Sequence, residues 1–215
     1  MLTSTRSARP RVKDAPRTRT ATNSHGNSRG NPPATGRASS TPSVLYPLDF
    51  VYARAGVPPP DVTLVQPDEI PSPYHSLLVH QNDMTVTLER HFGGRVVLRP
   101  LSTFSSGHSY FRRVLLAQEY SGRPVEMGAI RMRLDAFSQR IRTQIRQNEV
   151  PLGRILRDGG VDFKSVAKVF LAITPNPEMM GVFWMREPRT LYGRQTEVMY
   201  RGAKIGDIVE VLPLV

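Results

Sequence analysis

Two charges set inside apolar strands are the residues of this chain best placed to do chemistry. Arg112 stands in Tyr110-Phe111-Arg112-Arg113-Val114-Leu115-Leu116, and strand alternation puts its side chain on the face of Val114 and Leu116. Glu210 stands in Ile208-Val209-Glu210-Val211-Leu212, on the face of Ile208 and Leu212. A charge turned toward a core is costly unless it is paired or holds a ligand. An arginine and a glutamate on two strands of one sheet can pair with each other or bind a ligand. On a half-solvated sheet face or edge they would do neither, because antiparallel strands routinely carry such charges. The sequence leaves these readings open.

Other chemistries lack their signatures. There is no GxxxxGK[ST] phosphate loop, no GxGxxG dinucleotide fingerprint and no GxSxG nucleophile elbow. The histidines are His25, His75, His80, His91 and His108, with no HExxH pair among them, so no metal site is expected. The chain has no cysteine, which excludes disulfides and thiolate ligands. No cofactor is implied.

The elements that must position Arg112 and Glu210 can be read from periodicity. Residues 110–118 and 124–134 read as strands joined through Tyr120-Ser121-Gly122-Arg123. Gly128 inside the second strand suggests a bulge or a close backbone approach. Residues 195–200 and 205–212 form a second hairpin, and 95–99 and 169–173 read as further strands. One helix is predicted over 74–92, ended by Gly93-Gly94. Another is predicted after Asp135, which can cap it, with Phe137, Ile141 and Ile145 on its buried face. PLGRIL (151–156) looks like a third helix start, with proline in the first turn. Six prolines between 58 and 73 forbid a continuous helix there. Hairpins mixed with helices imply an α+β domain, an antiparallel sheet with helices packed on it.

The 215 residues suit one domain of ordinary size. The net charge of +11 is unevenly spread. Residues 1–43 hold eight basic residues against Asp14, a net of +7, which leaves +4 for residues 44–215. Residues 1–43 are also rich in Ser, Thr, Pro, Gly and Asn and poor in large apolar residues, so they read as a disordered basic arm. The arm would serve as a solubilising or simply variable extension or, weakly, as a nucleic-acid or membrane-surface contact. A mildly basic domain suits a small anionic ligand as well as a polyanion. No apolar run reaches the roughly 18–20 residues that span a bilayer, and the N-terminus has no hydrophobic signal region. A cytoplasmic location is the default expectation.

Several segments, in order, resemble the chorismate lyase family. They are Leu77-Leu78 with Asn82-Asp83-Met84-Thr85 and Leu88-Glu89; Arg112-Arg113-Val114-Leu115-Leu116; Pro124-Val125-Glu126-Met127-Gly128; Pro151-Leu152-Gly153-Arg154-Ile155-Leu156; and Gly193-Arg194 with Gly202-Ala203-Lys204 and Glu210-Val211-Leu212-Pro213. The resemblance covers roughly the last two-thirds of the chain. It implies an antiparallel sheet with helical flaps over an internal ligand cavity. It also implies cofactor-free conversion of chorismate to 4-hydroxybenzoate and pyruvate.

The family's ligand-carboxylate arginine falls on Arg112, and its acid at the ligand hydroxyl falls on Glu210. Its flap methionine falls on Met84, its pocket glycine on Gly128 and its pocket leucine on Leu152. The sequence departs from the family in two places. Ala129 stands where the family often has an arginine, leaving Arg131 as the nearest replacement. The spacing from Glu210 to Pro213 is one residue short. The same fold also serves as a non-catalytic small-molecule sensor, and loss of a cationic contact would favour that alternative.

Overall fold

The structure, a computed structural model, describes residues 43–213. The expected basic arm lies outside the described residues except at Ser43. Seven strands form one sheet: β1 (Asp61–Val65), β2 (Val96–Ser106), β3 (Ser109–Gln118), β4 (Pro124–Met132), β5 (Phe163–Thr174), β6 (Leu191–Tyr200) and β7 (Ala203–Leu212). Their order is β1-β5-β6-β7-β4-β3-β2, and every neighbouring pair is antiparallel. Six helices pack on the sheet: α1 (Leu48–Ala55), α2 (Tyr74–Leu78), α3 (Met84–Phe92), α4 (Gln139–Gln147), α5 (Leu152–Asp158) and α6 (Pro177–Val182). The fold is α+β, as the hairpin pattern implied.

Strands β3, β4 and β7 are buried along nearly their whole length. Such strands must be covered on both faces, which explains their near-continuous apolar runs. One face carries Leu115, Met127, Ala129, Val209 and Val211, packed with Leu48 and Tyr52 of α1 and Met179 of α6. The other face carries two clusters. Ile130, Met132 and Ile208 pack with Ile141, Ile145, Ile155 and Leu156 of α4 and α5. Val114, Leu116 and Leu212 pack with Leu77, Leu78, Met84 and Leu88 of α2 and α3.

The helix predicted over 74–92 is two helices. The break has a physical cause: Arg194 Nη1 donates to the carbonyls of Leu78 (2.8 Å) and His80 (3.0 Å). Those oxygens are committed to the sheet below, and Asp83 starts a new helix by accepting from the Thr85 amide at 2.9 Å. The helix after Asp135 also starts later than expected. Leu134–Ala136 forms a short 3-10 turn, and Ser138 occupies the N-cap position. Gly128 makes no bulge, since β4 keeps register through it with β3 and β7. Helices α1 and α6 and strand β1 had no clear periodic signal; they are short and packed on one side.

Helices α3 and α5 lie together over the second face. Asp83 pairs with Arg157 and Glu89 with Arg154, tying the start of each helix to the body of the other. Gly153 makes this approach possible, because a Cβ there would overlap the Asp83 carboxylate. The Asp83 side chain is short and already held by Thr85 and Arg157, so it cannot swing clear. Gly153→Ala should therefore destabilise the domain by about 1–3 kcal/mol, read as a lowered urea midpoint with the slope unchanged.

Candidate functional site

A cavity lies between the α3/α5 pair and the sheet. The sheet lines it with Arg112, Val114 and Leu116 from β3, Glu126, Gly128 and Ile130 from β4, and Ile208 and Glu210 from β7. The helices close it with Asp83 and Met84 at the start of α3 and Pro151, Leu152 and Gly153 at the start of α5. Its volume is about 50 Å³, on the scale where one water occupies ~10–15 Å³. Most of the lining is apolar, with a few convergent polar groups, the pattern of a small-molecule site.

The register arranges the charged groups along the strands. Arg112 is opposite Ile130, which is opposite Ile208. Glu210 is opposite Gly128, two residues further along, and Glu126 is opposite Leu116, four residues along. At about 3.4 Å per residue, the levels of Arg112 and Glu126 differ by roughly 14 Å. The cavity therefore has a cationic end and an acidic end.

Arg112 is 1% exposed, and its side chain makes no hydrogen bond or ion pair among the described residues; its Nη1 is buried without a partner. Burial lowers its pKa to about 10, and no carboxylate opposes the shift. Its neighbour Arg113, on the other face, shows what pairing looks like. Arg113 Nη1 is 2.7 Å from Glu178 Oε1 and lies over the Tyr52 ring. A lone buried guanidinium on a cavity wall is poised to receive an anion.

Glu210 is partnered. Glu210 Oε2 accepts from Arg194 Nε at 2.5 Å and from the Thr196 hydroxyl at 3.3 Å. Arg194 is itself 1% exposed, and its Nη2 is buried without a partner, but it does not line the cavity. Glu126 is different: its Oε2 is buried with no partner. Burial, then the nearby Glu210, raises its pKa well above the carboxylate range. Burial likewise raises the pKa of Asp83, against the pull of Arg157.

The structure thus brings Arg112, Glu210, Met84, Gly128 and Leu152 to one cavity. It does not bring Arg131. Residue 131 has the opposite strand parity, and its guanidinium lies on the other face, with Nε on Ser109 Oγ at 2.9 Å and Nη1 3.7 Å from Asp207. Arg131 cannot replace the missing cation. Sequence reasoning missed Glu126, Arg194 and Asp83 as site residues. The alternation that singled out Arg112 and Glu210 would have found Glu126, which shares a face with Gly128 and Ile130. No cluster of metal-ligating side chains occurs among the described residues, and no helix there is long and apolar enough to cross a membrane.

No protein-family model matches the chain, and no curated protein matches it in sequence. Solved structures do resemble it. One is the ligand-binding domain of a protein described as a GntR-family transcriptional regulator from Bordetella bronchiseptica, at 14% identity and TM-score 0.43, over 55% of this chain and 85% of that one. Another is PhnF from Mycobacterium smegmatis, at 12% identity and TM-score 0.46, over 63% of this chain and 65% of PhnF. A third is the gene product SA0254 from Staphylococcus aureus, at 6% identity and TM-score 0.46, over 63% of this chain and 90% of that one. Likeness at this level carries nothing about ligand or activity.

Two outcomes follow from the electrostatics. Arg112→Met removes an uncompensated buried charge while keeping the apolar stem, so the ligand-free protein should gain about 1–3 kcal/mol in denaturant unfolding. A loss of stability would mean the guanidinium has a structural partner. Glu126, in the folded state, keeps a proton that the unfolded chain releases near pH ~4.3. The folded state thus binds more protons above that pH, and stability falls as pH rises through the raised value. Asp83 acts with the same sign, so the Glu126 share is the difference between wild type and Glu126→Gln in melting temperature against pH. The variant's profile should be flatter.

Proposed function

We propose that the domain binds a small cyclic monocarboxylate without turning it over. The observation that carries this is the charge count of the cavity. Arg112 supplies one unpaired cation. Glu210 is already neutralised by Arg194, and Arg131 is on the far face. One ligand carboxylate is matched by the planar guanidinium. Chorismate carries two, and its second carboxylate would lie toward the acidic end, where like charges repel. A hydroxybenzoate carries only one. The apolar walls of Val114, Leu116, Ile130, Met84 and Leu152 suit its ring.

Chorismate lysis is the second reading. It is favoured by the presence of Arg112 and Glu210 on one cavity, where an anchor and a proton-handling acid would both reach a bound ring. One experiment separates the two. Calorimetric titration should give binding of 4-hydroxybenzoate that weakens by about 2–4 kcal/mol in Arg112→Ala. Chorismate incubated with a high concentration of protein should yield no 4-hydroxybenzoate by absorbance. Product formation that is lost in Glu210→Gln would establish the lyase instead.

A further inference from the structure

The binding reading accounts for Arg112 but leaves a buried carboxyl unused. Glu126 is 5% exposed and lies on the cavity wall, and its Oε2 is buried with no hydrogen-bond partner among the described residues. A carboxylate so placed would be costly, and nothing in the packing of β4 requires a polar group there. Its position is specific. The side chain folds back along its own strand, so that Oε1 lies 3.0 Å from where a Cβ on Gly128 would sit. Gly128 therefore holds open the space into which Glu126 turns, toward Glu210 and the cationic end.

The groups facing Glu126 are Glu210 from β7, Arg194 from β6 and Asp83 from the start of α3. Arg194 gives its Nε to Glu210 and its Nη1 to two main-chain carbonyls, and Asp83 is paired with Arg157. Glu126 is thus a second acid beside a paired carboxylate, with no ion-pair partner of its own.

We infer that Glu126 acts as a neutral carboxylic acid that, with the Glu210 carboxylate, recognises a hydroxyl on the ligand at the end opposite its carboxylate. A neutral acid donates one hydrogen bond, whereas a carboxylate only accepts. A ligand hydroxyl can accept from Glu126 and donate to Glu210, satisfying both. A bare ring edge would leave Glu126 unmatched, and a second carboxylate would face Glu210 and have no cation. The ligand class is therefore a hydroxy monocarboxylic acid, and Glu126 is a specificity-determining residue. This rests on the binding reading but assigns a contact that reading does not need.

The test uses the full chain and the probes 4-hydroxybenzoate, benzoate and terephthalate. Infrared difference spectra of the ligand-free protein near neutral pH should show a protonated-carboxyl band that Glu126→Gln removes. Wild type should bind 4-hydroxybenzoate about tenfold more tightly than benzoate, the scale of one satisfied hydrogen-bonding group, and terephthalate roughly a hundredfold more weakly. Glu126→Gln, whose amide can still donate, should keep the hydroxyl preference, whereas Glu126→Leu should lose it. Affinity for 4-hydroxybenzoate should fall as pH rises and Glu126 ionises, and Glu126→Gln should flatten that profile. If the band is absent, or Glu126→Leu folds and keeps the preference, the inference is overturned while monocarboxylate binding stands. If the band is present but no benzoate binds, the binding reading fails and the assigned contact fails with it.

Discussion

The structure turns on one guanidinium held out of water with nothing to answer it. Arg112 and Arg113 are adjacent and both buried. On one face, Arg113 meets Glu178 and the Tyr52 ring and becomes part of the packing that fixes α1 and α6 to the sheet. On the other face, the Arg112 side chain lines the cavity with no hydrogen bond or ion pair among the described residues. Leaving a buried charge unpaired costs stability, and a fold that needed only a core would place leucine there. The arrangement makes sense when the missing partner is a ligand, because the cost is recovered as affinity.

The Arg194–Glu210 pair gives the cavity its other end and much of its shape. It joins β6 to β7 across the sheet, and the same guanidinium reaches the Leu78 and His80 carbonyls. One side chain therefore does three jobs. It neutralises Glu210, it stops α2, and it positions the turn from which Asp83 launches α3 over the cavity. Met84 reaches the cavity only because α3 begins there. Burial, then the nearby Arg194, lowers the pKa of His80.

What was legible in the sequence follows from which signals are local. Strand alternation and the two hairpins gave the sheet, its central strands and the faces of Arg112 and Glu210. The helix start at PLGR was legible because proline and the following apolar residues act within one turn. The break between Leu78 and Asp83 was not, because its cause, Arg194, lies more than a hundred residues away and acts on main-chain carbonyls. Helices α1 and α6 were missed because each is short and presents few buried positions. Arg131 was misplaced because nearness in sequence was allowed to stand for nearness in space.

Parity explains that error and also limits what the site can be. In β3, β4 and β7 every cavity residue is even-numbered: 112, 114 and 116; 126, 128 and 130; 208 and 210. Their odd-numbered neighbours belong to the opposite face, where Ala129 packs with Leu115 and Val209. In this register an arginine at position 129 would enter that second core, as Arg131 lies on its rim. From these three strands, a second cation could reach the cavity only at an even position, and beside Arg112 those positions are filled by apolar residues, a glycine and two glutamates. The pairing of these strands thus turns one cation, Arg112, toward the cavity, in keeping with the single ligand carboxylate proposed above.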